Sequence, residues 1–394
     1  MITIVYARPK EMMRCKRLSL FAKKDRKSSM AECRLCHTKS STISKGPGVC
    51  LACIRKRPED ALPIAMSAHR RSRRAFGLPE EPPKDPKGTA CNICVNECRI
   101  PEQGTGYCGL RKNEGGRLVG VSAEQGKLSW YHDPLPTNCV GDWVCAGCTG
   151  AGYPDYAYSL GPEHGYKNLA VFFHACSFNC LFCQNWEFRL ETLKPRTTPA
   201  EDLVDDVDDR TSCICFFGGD PSPQIPFALK ASKLAREKTK GRIFRVCWET
   251  NGTMHRGFLD EMIELSLHSG GCIKFDLKAW DENLHKALTG ITNRRTLENF
   301  ARAGEKAGQR PVPPLLIAST LLVPGYIDEE EVRNLSRFIA KASPDIPYSL
   351  LAFYPHFDMS DLPLTSRALA EACAAAAREE GLTNVKIGNV HLLR

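Results

Sequence analysis

The chain has 394 residues, of which 42% are hydrophobic and 25% are charged, values that are typical of globular proteins. No apolar stretch reaches the roughly 18 residues that a membrane-spanning helix needs, and the N-terminus lacks a signal-peptide core, so we expect a cytoplasmic protein. Twenty cysteines in such a chain indicate metal sites in a reducing, anaerobic setting, because disulfide frameworks belong to small secreted domains.

Positive charge is concentrated at the N-terminus. Residues 1–88 hold 21 Lys and Arg residues against 8 Asp and Glu residues, a formal charge of +13, which leaves −4 for the rest of the chain. Basic runs at 14–17, 23–27 and 70–74 offer contacts to nucleic acid or to an acidic protein face. Solvated basic tails have the same composition, so both interpretations stay open.

The first cysteine group has the spacing of a metal site. It consists of two C-x2-C pairs, Cys33 with Cys36 and Cys50 with Cys53. Two such pairs can close a tetrahedral site of four thiolates, for which zinc is the usual metal. A rubredoxin-like iron site or an electron-transfer cluster is the alternative. We expect the metal to stabilise this module, because so short a ribbon buries little apolar surface.

Two more cysteine groups follow a proline-rich stretch at 76–88, which we predict to be a linker. The second group has enough thiols for one further metal site: Cys91, Cys94, Cys98 and Cys108. The third group has only three thiols: Cys139, Cys145 and Cys148. It needs a ligand from elsewhere, for which Cys15 and His132 are candidates. An auxiliary iron-sulfur cluster, zinc and free thiols all stay open for these two groups.

The fourth group follows an apolar run, Leu169 to Phe173, which we predict to be a strand. Its thiols have the spacing C-x3-C-x2-C: Cys176, Cys180 and Cys183. Thiolates normally hold iron-sulfur clusters one per iron, so three of them on a four-iron cluster leave one iron open to a ligand. A zinc knuckle and buried free thiols are the alternatives.

This loop resembles the cluster loop of the radical S-adenosylmethionine (SAM) superfamily, including the aromatic Phe182 before the last thiol. The second cysteine group, followed by this loop and by Gln184-Asn185-Trp186-Glu187, resembles the branch related to pyruvate formate-lyase activating enzymes. The resemblance implies a partial TIM-type (β/α)6 barrel behind a cysteine-rich, metal-stabilised N-terminal region.

The pattern after residue 168 agrees with such a barrel, because short apolar runs alternate with amphipathic stretches. The predicted strands are Leu169–Phe173, Cys213–Phe217, Ile243–Trp248, Cys272–Asp276, Leu315–Leu322 and Ser349–Phe353. The predicted helices are Pro199–Asp209, Gln224–Lys238, Arg256–His268, Thr296–Ala307, Asp328–Lys341 and Leu364–Gly381. We predict four regions: a basic region with the first cysteine group (1–75), the linker (76–88), a cysteine-rich segment (89–165) and the barrel (166–394).

The resemblance also implies SAM-binding roles for the residues at the carboxyl ends of the predicted strands. Gly218-Gly219-Asp220-Pro221 resembles a Gly-Gly-Glu-Pro element whose acid accepts hydrogen bonds from the SAM ammonium, although Asp220 is one methylene shorter. Glu249-Thr250-Asn251-Gly252 resembles an element whose acid faces the SAM ribose or carboxylate. Asp276 and Lys278 match an Asp-x-Lys pattern suited to the ribose hydroxyls and the SAM carboxylate. The expected cofactor-binding residues are Phe182, Gly218, Gly219, Asp220, Glu249, Asn251, Asp276, Lys278 and His356.

The function that the resemblance implies is reductive cleavage of SAM at a 4Fe-4S cluster, with a flavodoxin or ferredoxin as electron donor. The resulting 5'-deoxyadenosyl radical abstracts a hydrogen atom, in activating enzymes from a glycine of a glycyl radical enzyme. One alternative is a radical SAM enzyme that modifies RNA or another macromolecule, which the basic N-terminal region favours. Another is an iron-sulfur electron-transfer or nucleic-acid-binding protein that does not use SAM. Five other cysteines are predicted to be small core residues: Cys213, Cys215, Cys247, Cys272 and Cys373.

Overall fold

The computed structural model describes residues 30–394, so Cys15 and the basic runs at 14–17 and 23–27 lie outside the described residues. The described chain begins with a small hairpin and two helices: β1 (Ala31–Glu32), β2 (Lys39–Ser40), α1 (Leu51–Lys56) and α2 (Pro58–Arg74). The cysteine-rich segment then forms short strands and one helical turn: β3 (Thr89–Cys91), β4 (Cys98–Ile100), β5 (Arg111–Glu114), β6 (Arg117–Gly120), β7 (Gln125–Gly126), β8 (Leu128–Pro134) and α3 (Ala146–Thr149).

The remaining chain alternates strands and helices. Its first half contains β9 (Lys167–Phe173), α4 (Phe188–Thr192), β10 (Thr198–Pro199), α5 (Ala200–Asp205), β11 (Thr211–Gly218), α6 (Ile225–Lys238), β12 (Arg245–Thr250) and α7 (Arg256–Ser269). Its second half contains β13 (Ile273–Asp276), α8 (Glu282–Thr289), α9 (Arg294–Ala307), β14 (Leu316–Leu322), α10 (Glu329–Ala342), β15 (Tyr348–Ala352), α11 (Arg367–Glu379) and β16 (Val385–Gly388). All six predicted strands and all six predicted helices are present, with ends shifted by a few residues.

Eight strands form one open sheet in the order β8-β9-β11-β12-β13-β14-β15-β16, while β10 pairs with β7 in a separate two-stranded sheet. Strand β8 runs antiparallel to β9, and the other neighbouring pairs are parallel. The partial barrel is therefore confirmed, and β8 and β16 extend it at its two edges beyond the six predicted strands. The carboxyl ends of the parallel strands share one edge, where barrels of this kind place their chemistry.

Alternate side chains of the central strands pack beneath the helices. Trp248 on β12 donates from Nε1 to Ser266 Oγ of α7 at 2.8 Å, and its ring stacks on Phe216 of β11 with centroids 4.8 Å apart. Phe275 on β13 meets Phe300 of α9 edge to face. We call the opposite side of the sheet the inner face; residues next to these aromatic positions point towards it, because successive strand side chains alternate.

The module of residues 30–74 packs against the barrel. Arg55 of α1 binds Asp328 with both terminal nitrogens, at 2.8 and 2.9 Å, and Glu331 at 3.0 Å. The buried Tyr326 hydroxyl accepts a hydrogen bond from Ser44 N and donates one to Val49 O. The predicted linker is also in contact with its surroundings, since Leu78 is buried. The proposed boundaries between the regions stay predictions.

No helix within residues 30–394 is both long and apolar enough to cross a membrane.

Candidate metal and cofactor sites

The loop with the C-x3-C-x2-C spacing, residues 174–186, leaves the carboxyl end of β9. Two backbone hydrogen bonds fix it to the end of α8, from Asn179 N to Thr289 O at 2.8 Å and from Leu181 N to Leu288 O at 3.0 Å. Phe182 is buried in the main core, so its ring anchors the loop. The helix α8, which the sequence pattern did not indicate, is therefore a main support of this loop.

All three thiols of the loop are free of disulfides. Burial raises the pKa of Cys176 well above its usual range, and it raises the pKa of Cys180 to about 12 despite the opposing effect of Lys278. A metal that replaces the proton supplies the missing positive charge, so the burial of these thiols suits metal ligation. Thiolates are the ligands that iron-sulfur clusters use, and this set fits one.

The glycine pair after β11 passes directly beside the cysteine loop. Gly219 N donates to Phe173 O and Asp220 N donates to Ala175 O, both at 2.8 Å. A Cβ atom at Gly219 would lie 2.2 Å from Ala175 O, a distance that no side chain tolerates. Glycine is therefore required here for close approach, and the approach places Asp220 beside the first thiol.

The Asp220 carboxylate joins two strand-end loops. Its Oδ1 accepts from Asn251 N at 2.7 Å and from Thr250 Oγ1 at 3.0 Å, while Oδ2 accepts from Ser222 N at 2.7 Å. Burial raises the pKa of Asp220 to about 6, against the lowering effect of these bonds. The expected contact with the SAM ammonium stays a prediction; the structure gives this acid a structural role as well.

Asn251 connects the same loops to the cysteines. Its Nδ2 donates to Ser177 Oγ at 2.8 Å and lies 3.7 Å from Cys176 Sγ. Its Oδ1 accepts from Thr253 Oγ1 at 2.8 Å. Hydrogen bonds to cluster sulfurs tune reduction potential, so this amide is placed to influence a cluster bound at Cys176.

Two acids at neighbouring strand ends form ion pairs. Glu249 Oε1 lies 2.5 Å from Lys274 Nζ, a residue that sequence reasoning missed. Asp276 Oδ2 lies 2.6 Å from Lys278 Nζ, and its Oδ1 accepts from Ser319 Oγ at 2.8 Å. Burial opposes the charge of Lys278, but Asp276 and Cys180 outweigh it and raise the Lys278 pKa. The Lys278 ammonium therefore stays charged next to the cysteine loop.

His356 lies in the loop that follows β15. The next residue, Phe357, stacks on Trp186 at the end of the cysteine loop, with centroids 5.6 Å apart. Burial lowers the pKa of His356, so the imidazole is neutral at pH 7. The structure thus places His356 near the cysteine loop, and its contact with SAM or substrate stays a prediction.

Comparison with known proteins agrees with this geometry. Residues 170–339, which include the cysteine loop and most of the strand ends, match the family profile described as the Radical SAM superfamily. This part of the chain is a radical SAM domain.

Relatives of the radical SAM domain include two activating enzymes. An isethionate sulfite-lyase activating enzyme of Desulfovibrio desulfuricans is 30% identical over 172 residues, 42% of this chain and 51% of that protein. Pyruvate formate-lyase 1-activating enzyme of Escherichia coli K12 is 26% identical over 169 residues, 41% of this chain and 63% of that protein. The chain thus spans between half and two thirds of the length of these two relatives.

A longer match lies in an uncharacterized protein of Methanocaldococcus jannaschii, 26% identical over 314 residues, 78% of this chain and 83% of that protein. Among solved structures, a domain of pyruvate-formate lyase-activating enzyme from Bacteroides vulgatus has a TM-score of 0.36 at 22% identity, covering 44% of this chain and 98% of that one. Streptococcus suis SuiB bound to SAM has a TM-score of 0.42 at 14% identity, covering 55% and 49%.

The four-thiol module beside the radical SAM domain has the geometry of a single-ion site. The ligand atoms of Cys33, Cys36, Cys50 and Cys53 all lie within 4.8 Å of one another. The pairs Cys33–Cys53 and Cys36–Cys50 are each separated by 3.8 Å. A metal about 2.3 Å from four tetrahedral sulfurs holds them about 3.8 Å apart. These residues therefore fit zinc, as the sequence spacing predicts.

The second cysteine group adjoins the cysteine loop of the radical SAM domain. Cys91 and Cys98 face each other across β3 and β4. Cys98 belongs to an apolar cluster that Cys91, Cys176 and Cys180 also contact. In the described chain, the thiols of this group do not approach one another as closely as those of the four-thiol module. Whether the group holds an auxiliary metal stays a prediction.

The third cysteine group does not meet its candidate partner His132. That residue lies on the edge strand β8, where its Nε2 contacts Asp206 O at 2.9 Å. The loop of Cys139, Cys145 and Cys148 instead lies on the inner face of the sheet, where Lys274 Nζ contacts Cys139 Sγ at 3.4 Å. The thiols near this loop come from the strands themselves.

Proposed function

We propose that this protein is a radical SAM enzyme that binds a 4Fe-4S cluster through Cys176, Cys180 and Cys183 and cleaves SAM reductively. The observation that carries the proposal is the convergence of these thiols with Asp220, Asn251 and the Asp276–Lys278 pair at one edge of a radical SAM domain. When bound, the cluster supplies the electron that splits the SAM sulfonium and yields a 5'-deoxyadenosyl radical.

The residues of the chain bind and orient SAM in this proposal. Lys278, whose side chain is 16% exposed, offers an ammonium to the SAM carboxylate, and Asp276, whose side chain is 41% exposed, offers a carboxylate to the ribose hydroxyls. Charge-assisted hydrogen bonds of this kind are stronger than neutral ones. The Gly218–Gly219 pair keeps side chains out of the space next to the loop.

An apolar wall protects the reacting atoms from water. The buried side chains of Tyr107, Phe178 and Ile291 pack against Cys176 and Cys180. Exclusion of water strengthens the polar contacts of a site and prevents side reactions of reactive intermediates. A radical needs such a wall, because any accessible hydrogen donor would quench it.

For the substrate, we propose a glycine of a glycyl radical enzyme, with a flavodoxin or ferredoxin as the one-electron donor. The support is the two relatives named as activating enzymes. The basic run at 70–74 gives the RNA alternative little support, because most of its charges already have partners within the protein. Arg70 pairs with Glu81, Arg74 pairs with Glu80 and Arg73 is buried, so these charges are largely used within the protein.

The test is anaerobic reconstitution with iron and sulfide, addition of SAM and dithionite, and measurement of 5'-deoxyadenosine. The parent should form it, and the triple variant Cys176→Ala, Cys180→Ala, Cys183→Ala should not. The matched control is Cys373→Ala, a buried thiol in α11, which should keep the activity. A parent that contains the cluster but neither binds nor cleaves SAM would refute the proposal in favour of an electron-transfer protein.

The substrate is tested separately with a glycyl radical enzyme from the same cell. Electron paramagnetic resonance should detect an organic radical on that partner only when the parent, SAM and reductant are all present. SAM cleavage that is stimulated by RNA in a salt-sensitive manner, with no radical on the partner, would instead favour the RNA alternative.

A further inference from the structure

The inner face of the sheet has an unusual composition. Interiors of TIM-type barrels are normally filled by branched apolar side chains such as Val, Ile and Leu. Here four inward positions, two on β11, one on β12 and one just before β13, are thiols: Cys213, Cys215, Cys247 and Cys272. Cys215 and Cys247 are direct partners in the ladder of β11 and β12. The positions between them point outwards to the helices.

The loop of residues 137–150 covers these strand thiols. Trp143 Nε1 donates to Ser349 Oγ at 3.1 Å, and Ser349 Oγ donates to Val140 O at 3.0 Å. Glycines allow the loop to lie flat on the sheet: a Cβ atom at Gly141 would lie 3.0 Å from Lys274 Cδ, and one at Gly147 would lie 3.0 Å from an Arg245 nitrogen.

The thiols of the loop of residues 137–150 therefore lie next to the strand thiols. Cys148 and Cys213 belong to one buried cluster, and Cys145 packs against it. The Cys145 thiol interacts with those of Cys139 and Cys148, and on the sheet Cys247 interacts with Cys272. None of these cysteines forms a disulfide.

A cation lies in the middle of this thiol layer. Lys274 Nζ is 3.4 Å from Cys139 Sγ and 3.7 Å from Cys215 Sγ, and its side chain is 2% exposed. Its third partner, Glu249, belongs to the strand-end set of the radical SAM domain. Charges are almost never buried without a function or a compensating partner. Glu249 compensates this ammonium, and the Cys139 and Cys215 thiols lie within reach of the same Nζ.

We propose that Cys139, Cys145 and Cys148 bind an auxiliary iron-sulfur cluster on the inner face, with Cys247 as the fourth ligand. Cys247 is the choice because its thiol interacts with the Cys145 thiol of the loop, and because it pairs with Cys215 in the ladder of β11 and β12 and interacts with Cys272. In this proposal, a residue of β12 supplies the fourth ligand that the third cysteine group lacks.

The spacing of the thiols favours a cluster over a single zinc ion. Within the described chain, the four-thiol module alone brings at least three such ligand atoms within 4.8 Å of one another. A single tetrahedral ion needs that closeness, whereas a cluster binds each thiolate to a different iron and separates them. The inner-face thiols are near one another but do not converge on one point.

The experiment uses the full chain with the triple variant Cys176→Ala, Cys180→Ala, Cys183→Ala as background, so that the SAM-binding cluster is absent. In this background, Cys145→Ser with Cys247→Ser is compared with Cys373→Ser and with Cys94→Ser plus Cys98→Ser. Each protein is reconstituted without oxygen, and its iron, sulfide and zinc are measured together with its Mössbauer spectrum. The zinc of the four-thiol module reports whether each variant is folded.

The background protein should retain iron and sulfide. The double variant Cys145→Ser, Cys247→Ser should lose about four iron and four sulfide ions per chain, while Cys373→Ser should lose none. All variants should keep the zinc of the four-thiol module. If the double variant does not fold, Cys139→Ser alone, in the loop, should produce the same loss. Unchanged iron in these variants would overturn the proposal, and so would loss of zinc without loss of iron. The result does not depend on SAM cleavage.

Discussion

The side-chain amide of Asn179 lies 3.2 Å from Nδ1 of His69. Asn179 belongs to the cysteine loop and His69 to α2, so the N-terminal module holds this loop from outside the barrel. The other ring nitrogen, Nε2, is 3.0 Å from Ala287 O of α8. Nδ1 also lies 3.1 Å from Asn179 O, so each ring nitrogen faces a carbonyl oxygen, and a neutral ring, which carries one N–H, donates to only one of them.

The first prediction concerns the pH dependence that His69 creates. Burial lowers the pKa of His69 to about 4, against about 6.5 in the unfolded chain. The unfolded chain therefore binds a proton that the folded one rejects, and His69 lowers the free energy of unfolding as pH falls from about 6.5 towards about 4. His69→Gln should remove this contribution, which between about pH 7 and about pH 4.5 amounts to roughly 2.5 kcal/mol of the free energy of unfolding.

Urea unfolding of parent and variant at about pH 7 and about pH 4.5 measures this change. Both proteins carry the same cysteines, so acid release of metals affects them equally. The control is His268→Gln, because that side chain is 68% exposed. Equal pH dependence in the parent and His69→Gln would contradict the prediction.

Asp220 gives the second prediction. Asp220→Ala leaves the buried donors of Ser222, Thr250 and Asn251 without their acceptor. Each unsatisfied buried donor costs about 1 to 3 kcal/mol, so the free energy of unfolding should fall by at least about 3 kcal/mol. Asp155→Ala, at an exposed loop position, should change it little. Chemical denaturation of both variants measures the free energy of unfolding. If Asp220→Ala changes it as little as Asp155→Ala does, Asp220 does not join the two loops.

The sequence predicts the parts of this site that depend on local patterns, and it does not predict the parts that depend on contacts between residues far apart in the chain. The strands, helices and strand-end motifs follow from local patterns, and the structure has them where these patterns indicate. Helix α8 was not predicted, although Asp281 is a suitable N-cap and accepts from Leu284 N at 2.7 Å. Strand β8 was missed because it is a partly exposed edge strand with polar residues.

Long-range contacts explain the larger gaps. Nothing local in α2 shows that His69 and Arg73 are buried against other regions, because their partners are 110 and 34 residues away. The prediction that Cys213, Cys215 and Cys272 are core residues is confirmed by their burial, but the pattern of each single strand does not show that these thiols lie next to one another. The alternation of Cys213 and Cys215 places both on one face, but only the register of the sheet places Cys247 beside Cys215.

The third prediction concerns Lys278 and rests on the proposed function. Lys278→Met keeps much of the aliphatic length but removes the ammonium offered to the SAM carboxylate. Hydrogen bonds to charged groups contribute about 1.5 to 3 kcal/mol, so the dissociation constant of SAM should rise by about 10-fold to 100-fold. Equilibrium binding to the reconstituted protein measures it, with the iron content as a check that the cluster is retained.

The matched control for this variant is Lys286→Met. Lys286 lies on α8 and pairs with Glu282 at the surface, so SAM affinity should stay that of the parent. If both variants bind SAM equally well, Lys278 is not the carboxylate ligand. If Lys278→Met has lost its iron, the ammonium instead supports the Cys180 thiolate.

The last prediction is that a metal in the four-thiol module stabilises the whole protein. Cys36→Ser is the most informative variant, because Cys36 is exposed and its replacement alters no core packing. Loss of the metal should release α1 and leave the buried Glu331 carboxylate without Arg55, its partner at 3.0 Å. Removal of one partner of a buried ion pair costs about 3 to 5 kcal/mol, and we expect a decrease of at least that size in the free energy of unfolding.

Zinc analysis should find about one ion fewer per chain in Cys36→Ser than in the parent. The neighbouring exposed residue provides the control: His37→Ala removes only a surface contact with Glu32 and should keep both zinc and stability, since exposed pairs contribute about 1 kcal/mol or less. Treatment of the parent with a chelator should reproduce the effect of Cys36→Ser, and zinc should reverse it. Full zinc and parental stability in Cys36→Ser would mean that these four thiols do not form the site, because a tetrahedral thiolate site does not survive the loss of one of its ligands unchanged.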